Sequence, residues 1–293
     1  MRKIALLLAL PAALAAQNFD TIQIKSQQLR GGVYVLTGSG GNIGLSIGDD
    51  MAFVIDDQYA PLSSKILAHI ATLTNKPVKF VVNTHWHGDH TGGNENMGKA
   101  GAILIAHDNV RKRMSTEQFN ALFNNRTPAS PAGALPIITF SDSTSFYVNG
   151  ETVVAFHVAP AHTDGDVVIH FTNADVIHMG DTFFTSGYPF VDLSSGGSVI
   201  GYIGAADRVL AMCGPNTIVI PGHGAVSNCG GLREWRNMIV TIRDRVQAAM
   251  KKGNTLAQIK ATGVSKEFDD RWGKGFIKPD VFAEMVYRSL GGK

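Results

Sequence analysis

Four side chains that bind metals well fall within one short run, Thr84-His85-Trp86-His87-Gly88-Asp89-His90. The run follows an apolar stretch, Val78 to Asn83, that reads as a buried strand. A strand sends alternate residues to the same face, so His85 and His87 would point together. A turn at Gly88 would bring Asp89 and His90 round to a neighbouring point. Neutral imidazole and carboxylate suit Zn²⁺, at ligand distances of about 2.0–2.2 Å. Three further residues share this setting. His162 follows Thr152 to Val158, Asp181 follows Val176 to Gly180, and His223 follows Thr217 to Ile220 within Pro221-Gly222-His223-Gly224. Each sits just past a strand pattern, in a turn rich in Gly or Pro, where layered α/β folds carry their sites.

The elements that must position these residues can be read around them. Val33 to Thr37, Asn42 to Ile47 and Met51 to Asp56 read as strands joined by Gly-rich turns. Pro61 opens a helical pattern through Leu73. Ala102 to Ala106 reads as a strand and Asp108 to Met114 as a helix. The polar stretch 115–136 is expected to be a long loop or a broken helix. Ser143 to Val148 and Val167 to Phe171 add strands. The stretch 181–199 should be irregular, Ile200 to Ala211 helical, and the chain helical from about 232. Thr255 with Gln258 makes a capping box. Interleaved strands and helices in both halves indicate layered α/β structure.

His85-x-His87-x-Asp89-His90, His162, Gly180-Asp181 and Gly222-His223-Gly224 together resemble the metallo-β-lactamase superfamily. The resemblance covers nearly the whole chain after its first residues, in the right order. It implies a four-layer αββα sandwich over residues 17–293, with metals at one edge. It also implies that His85, His87 and His162 bind a first ion, that Asp89, His90 and His223 bind a second, and that Asp181 bridges them. Seven side chains can then give each ion at least four ligands once a bridging hydroxide is added. An acid at the end of a strand supports the metal loop in this superfamily; Asp56, with Thr84, fits that role. Five imidazoles and no thiolate suit two zinc ions better than Fe or Mn.

The expected function is a dinuclear zinc hydrolase that uses a metal-bridging hydroxide to cleave a C–O, C–N or similar bond in a small molecule. Asp89 is both a ligand and a candidate proton acceptor. The substrate is open between a β-lactam, a lactone and another ester or amide. One large lactamase subclass has Cys where this chain has Asp181, and a substrate-gripping Lys where it has Phe184; a second has Ser at the Asp181 position. Asp181 resembles the lactonases, thioesterases and phosphodiesterases of the superfamily instead. Trp86, Tyr188, Phe190 and Ser194 are candidate pocket residues. Phe268, Trp272 and Phe276 are expected to pack the C-terminal helices onto the core. The alternatives are an iron-dependent redox enzyme of the same fold and a non-catalytic metal-binding protein; the complete ligand set argues against the latter.

Arg2 and Lys3, the apolar run Ile4 to Leu10, and Ala13-Leu14-Ala15 read as a secretory signal peptide over residues 1–16. The protein is therefore expected in the periplasm or outside the cell, with no membrane span after cleavage. Removing Arg2 and Lys3 from the 26 basic residues leaves 24 against 24 acidic ones. No basic cluster remains that would argue for nucleic acid. Cys213 and Cys229 could pair in an oxidising compartment or remain free buried thiols.

Overall fold

The computed structural model describes residues 18–293. The expected signal peptide lies outside the described residues. The first sheet has the order β1-β2-β3-β4-β5-β6-β9. Its strands are β1 (Lys25–Arg30), β2 (Val33–Thr37), β3 (Ile43–Ile47), β4 (Ala52–Ile55), β5 (Val78–Val82), β6 (Ile103–His107) and β9 (Ile138–Phe140). A separate hairpin, β7 (Gln118–Asn120) and β8 (Asn125–Thr127), lies between β6 and β9 in the chain. The second sheet runs β10 (Ser143–Val148), β11 (Glu151–His157), β12 (Val167–Phe171), β13 (Val176–His178), β14 (Ile218–Ile220) and β15 (Ser227–Asn228).

Alternation decides which residues face which layer. Val33 and Val35 of β2, Val153 and Ala155 of β11, and Val167, Ile169 and Phe171 of β12 are buried in one cluster between the sheets. The other face of the first sheet, with Ala52, Val54 and Val81, packs on Ile66 and Ile70 of α1 (Ser63–Leu73). Short helices α2 (Gly88–Thr91), α3 (Asn94–Lys99) and α4 (Asp108–Met114) follow on that side of the sequence. The outer face of the second sheet, with Phe156, Val168, Ile177 and Val219, packs on α5 (Val199–Met212), α6 (Cys229–Lys251) and α9 (Pro279–Ser289). The remaining helices are α7 (Leu256–Ala261), which begins at the Thr255–Gln258 capping box, and α8 (Asp269–Trp272). The architecture is the expected αββα sandwich.

Several local expectations change. The stretch 115–136 holds the β7–β8 hairpin rather than a loop or broken helix. Helix α6 starts at Cys229, three residues before Leu232, because the Asn228 side chain accepts from Gly231 N and caps it. Cys213, just past α5, and Cys229, at the start of α6, form a disulfide with Cα atoms 6.2 Å apart.

Candidate metal centre

The parallel strands end on one edge of the sandwich, and the seven expected ligands meet there. Candidate donor atoms of His85, His87, His162 and Asp181 all lie within 4.8 Å of one another, and so do those of Asp89, His90 and His223. Asp181 reaches both groups. Its Oδ2 is 3.4 Å from His162 Nε2 and 3.4 Å from His223 Nε2, and its Oδ1 is 3.1 Å from His90 Nε2. His223 Nε2 also lies 3.2 Å from Asp89 Oδ2.

Local geometry explains how each ligand arrives. β5 ends at Val82, and Thr84 is tied to the end of β4 by Asp56. Asp56 Oδ1 accepts from Thr84 N at 2.7 Å, and its Oδ2 accepts from Thr84 Oγ1 at 2.7 Å. The same Oδ2 lies 2.7 Å from His90 Nδ1, which leaves Nε2 of that ring for the cluster. Asp56 is fully buried and holds φ at 62°, in the left-handed region where Asp is among the better-tolerated residues. Asp56 and Thr84 thus lie directly behind His90 and the segment that carries His85. Asp181 follows Gly180 in a single 3₁₀ turn after β13, and His223 follows β14. Gly41 and Gly222 allow close approach: a Cβ at Gly41 would collide with the His90 ring, and one at Gly222 with Asp181 Oδ1.

His162 depends on residues that sequence reasoning did not single out. Asp166 accepts from His162 N at 2.7 Å and from Thr163 Oγ1 at 2.6 Å, which folds the loop between β11 and β12. His162 Nδ1 lies 2.6 Å from Phe190 O and 3.1 Å from Tyr202 Oη. Thr163 and Asp166, three residues apart, carry the spacing of a local side-chain-to-backbone turn, and that signal was available. Asp192 is the second omission. Its Oδ2 is 3.0 Å from His87 Nε2, and no local pattern announces this contact across 105 residues.

The protonation states suit metal binding. Burial holds His85 well below the ordinary imidazole range, and burial with the neighbouring His87 brings His162 to about 4. Both rings are neutral. Burial opposes charge on Asp181 and Asp89, yet the surrounding histidines outweigh it. They keep Asp181 well below its usual value and Asp89 at about 2. Burial also opposes charge on His223, but Asp181 and Asp89 raise it to about 9, so a metal ion displaces a proton there. His85 Nε2 and Asp181 Oδ1 are buried without a hydrogen bond of acceptable geometry. Orphaned buried groups of this kind are costly, and a cation among them removes the cost. Imidazole and carboxylate donors therefore fit a metal, and among the described residues no thiol is free to ligate one.

A cleft of about 470 Å³ opens onto His87, Asp89, Asp181 and His223. Tyr188 and Phe190 line it, although the Tyr188 hydroxyl donates to Asp269 Oδ1 at 2.7 Å. Trp86 and Ser194 line an adjoining pocket instead. Trp86 Nε1 donates to Ser195 Oγ at 3.2 Å, and Ser194 Oγ accepts from Ala121 N at 3.1 Å. Phe276 departs from expectation. It is 79% exposed and lines the cleft, whereas Trp272 is buried in the helical core.

An αββα sandwich with this His/Asp cluster along one edge is a frame fit to hold metal ions. Residues 41–223 match the metallo-beta-lactamase superfamily, and the chain belongs to it. A hydroxyacylglutathione hydrolase from Pelagibacter ubique is 27% identical over 139 residues, 47% of this chain and 48% of that protein. An atrochrysone carboxyl ACP thioesterase from Aspergillus terreus is 30% identical over 149 residues, 51% of this chain and 38% of that protein. The chain thus matches about half or less of the length of these relatives. Among solved structures, a stereoselective inverting sec-alkylsulfatase from a Pseudomonas species superposes with a TM-score of 0.71 at 19% identity, over 92% of this chain and 50% of that one. A metallo-beta-lactamase from Pontibacter korlensis superposes with a TM-score of 0.60 at 19% identity, over 74% of this chain and 99% of that one. At such identities the structural likeness establishes the fold.

Proposed function

We propose that the protein is a dinuclear zinc hydrolase, exported to the periplasm or beyond, that cleaves an ester, lactone, β-lactam or related bond in a small molecule. The observation that carries this reading is Asp181, a buried carboxylate placed between two groups of three ligands. His85, His87 and His162 would hold one ion and Asp89, His90 and His223 the other, with Asp181 within reach of both groups. When bound, zinc would supply a water made nucleophilic near neutral pH and a Lewis acid for the bond to be cleaved.

The protein's own groups do the rest. Asp56 and Asp192 fix the tautomers of His90 and His87 through the ring nitrogens that face away from the cluster. The Asp89 side chain is 23% exposed against 6% for Asp181, so Asp89 is the more accessible of the two carboxylates that line the cleft. From there it would be placed to take a proton from the attacking water and return it to the leaving group. No Ser or Cys nucleophile is needed. The names of the curated relatives, a thioester-cleaving enzyme among them, support acyl transfer to water. The Cys213–Cys229 disulfide supports export, because disulfides persist in oxidising compartments.

Elemental analysis of the purified protein, with a panel of β-lactam, acyl-homoserine lactone, thioester and phosphodiester substrates, tests the reading. About two zinc ions per chain and metal-dependent hydrolysis that Asp89→Ala abolishes are expected. Iron with O₂ consumption, or a rate unchanged in Asp89→Ala, overturns it.

A further inference from the structure

The cleft that reaches the metal centre is walled by rings. Phe184, Phe190, Phe276 and Ile277 line it, and among its described lining residues there is no Lys or Arg. The adjoining pocket of about 170 Å³, which shares His87, Phe190 and Phe276, has none either. The ionisable side chains at its floor, His87, Asp89, Asp181 and His223, all belong to the metal cluster.

Three segments far apart in the chain bring the wall together. Phe123 comes from the turn of the β7–β8 hairpin, where Asn120 Oδ1 accepts from Phe123 N at 3.1 Å. Phe190 comes from the loop after Asp181, and Phe276 from the segment before α9. The Phe123 ring lies 5.4 Å from Phe190 and 5.6 Å from Phe276. Phe190 stacks on the His87 ring at 5.7 Å, so the wall begins at a metal ligand. Phe123 and Phe276 stay 43% and 79% exposed. Contiguous apolar surface left in water beside a reactive centre marks a ligand site. Beyond the ligand cluster itself, the wall offers an anionic substituent no Lys or Arg to grip it.

Building on the hydrolase reading above, we propose that this site selects an uncharged carboxylic ester with an apolar acyl chain, laid against Phe190, Phe276 and Phe123. Hydrolysis breaks the bond between the acyl carbon and the ester oxygen; water supplies OH to that carbon and a proton to the departing alcohol. The reading disfavours substrates that carry a carboxylate near the cleaved bond, β-lactams among them.

The test compares 4-nitrophenyl hexanoate with mono-4-nitrophenyl adipate on zinc-loaded protein. The two share a leaving group and a six-carbon chain, and differ in a terminal methyl against a carboxylate. kcat/KM for the hexanoate should be at least about tenfold higher, in the range by which apolar pockets discriminate. Phe276→Ala and Phe123→Ala, both at exposed positions, should each shrink that ratio. Isothermal titration calorimetry with N-phenylhexanamide gives a readout apart from turnover, and Phe276→Ala should weaken its binding. Equal or faster cleavage of the adipate overturns the proposal and leaves the hydrolase standing, as does a hexanoate preference that neither Phe variant alters. If neither ester is cleaved while the anilide binds and Phe276→Ala weakens it, the hydrolase reading falls and the apolar site stands. Neither cleavage nor binding overturns the proposal.

Discussion

Asp192 Oδ2 accepts from His87 Nε2 at 3.0 Å while also accepting from Ser195 Oγ at 2.6 Å. His87 therefore turns its Nδ1 inward, where it lies 2.7 Å from His162 Nε2. The other oxygen of Asp192 accepts from Asn120 Nδ2 of the β7–β8 hairpin at 3.1 Å. One carboxylate thus holds the His87 ring and ties the hairpin to it.

Asp192→Ala should lower zinc affinity by about 10–100-fold, the usual effect of losing a hydrogen bond behind a ligating histidine. Asp192→Asn keeps an oxygen acceptor and should lose less. Competition against a chromogenic chelator measures both. Equal affinity in wild type and Asp192→Ala would show that the tautomer of His87 is set elsewhere.

Gly41 provides a test that touches no ligand. A methyl group there would run into the His90 ring, which has nowhere to move because Asp56 holds its Nδ1. On the dinuclear zinc reading, Gly41→Ala should drop the zinc content from about two towards about one per chain, since His90 belongs to one of the two groups. Mass spectrometry of the native protein counts the ions. Full occupancy in this variant would mean that the His90 loop is softer than its burial suggests.

The residues of the His/Asp cluster were legible in the sequence because each is local: a strand pattern, a Gly or Pro turn, and the His or Asp. The same holds for the αββα layers, whose central strands are apolar enough to announce themselves. The hairpin was not legible. Gln118–Asn120 and Asn125–Thr127 are polar, show no buried alternation, and pair only with each other. β1, Lys25–Arg30, escaped for a similar reason: it is a mostly exposed edge strand of polar residues. Phe276 misled because an aromatic residue in a helical tail reads as core by composition. Its place in the cleft is set by the Gly275–Gly187 approach and the Tyr188–Ile277 pairing, both tertiary.

The disulfide closes the stretch between α5 and α6, with a sequence separation of 16. A loop of that size is worth about 3 kcal/mol through the unfolded chain. The Cys213→Ala, Cys229→Ala double variant should therefore melt roughly 6–12 °C lower, taking the usual conversion for a chain of a few hundred residues. Calorimetry with and without reductant checks it. A melting temperature that neither the variant nor reductant moves would show that packing of Val209 and Trp235 between the two helices already fixes this corner.

Glu284 gives a pH signature in the C-terminal helices. Its carboxylate accepts from Lys260 Nζ at 2.6 Å and from Arg288 Nε at 2.8 Å, joining α7 to α9. The hydrogen bond from Lys260 is the larger cause that holds its pKa below 4.5. A carboxyl with a depressed folded-state value binds fewer protons folded than unfolded, so it adds stability above the unfolded value and loses it as pH falls through the folded one. Glu284→Gln should flatten the acid limb of the melting curve below about pH 4.5 and leave its slope near neutrality unchanged. An acid limb with wild-type slope would assign that limb to other carboxylates.

Metal removal is expected to cost stability as well as activity. Without an ion, the protons raised onto His90 and His223 are what balance Asp89 and Asp181, and His85 Nε2 stays buried and unpartnered. An ion that binds the folded chain stabilises it by an amount that grows with the ratio of free ion to dissociation constant, about 4 kcal/mol at a thousandfold excess. Chelation should lower the melting temperature, and added zinc should restore it. In His162→Ala the restoration should be smaller, because one ligand group is then incomplete. A melting temperature indifferent to both chelator and zinc would mean that the cluster does not hold metal, whatever its geometry.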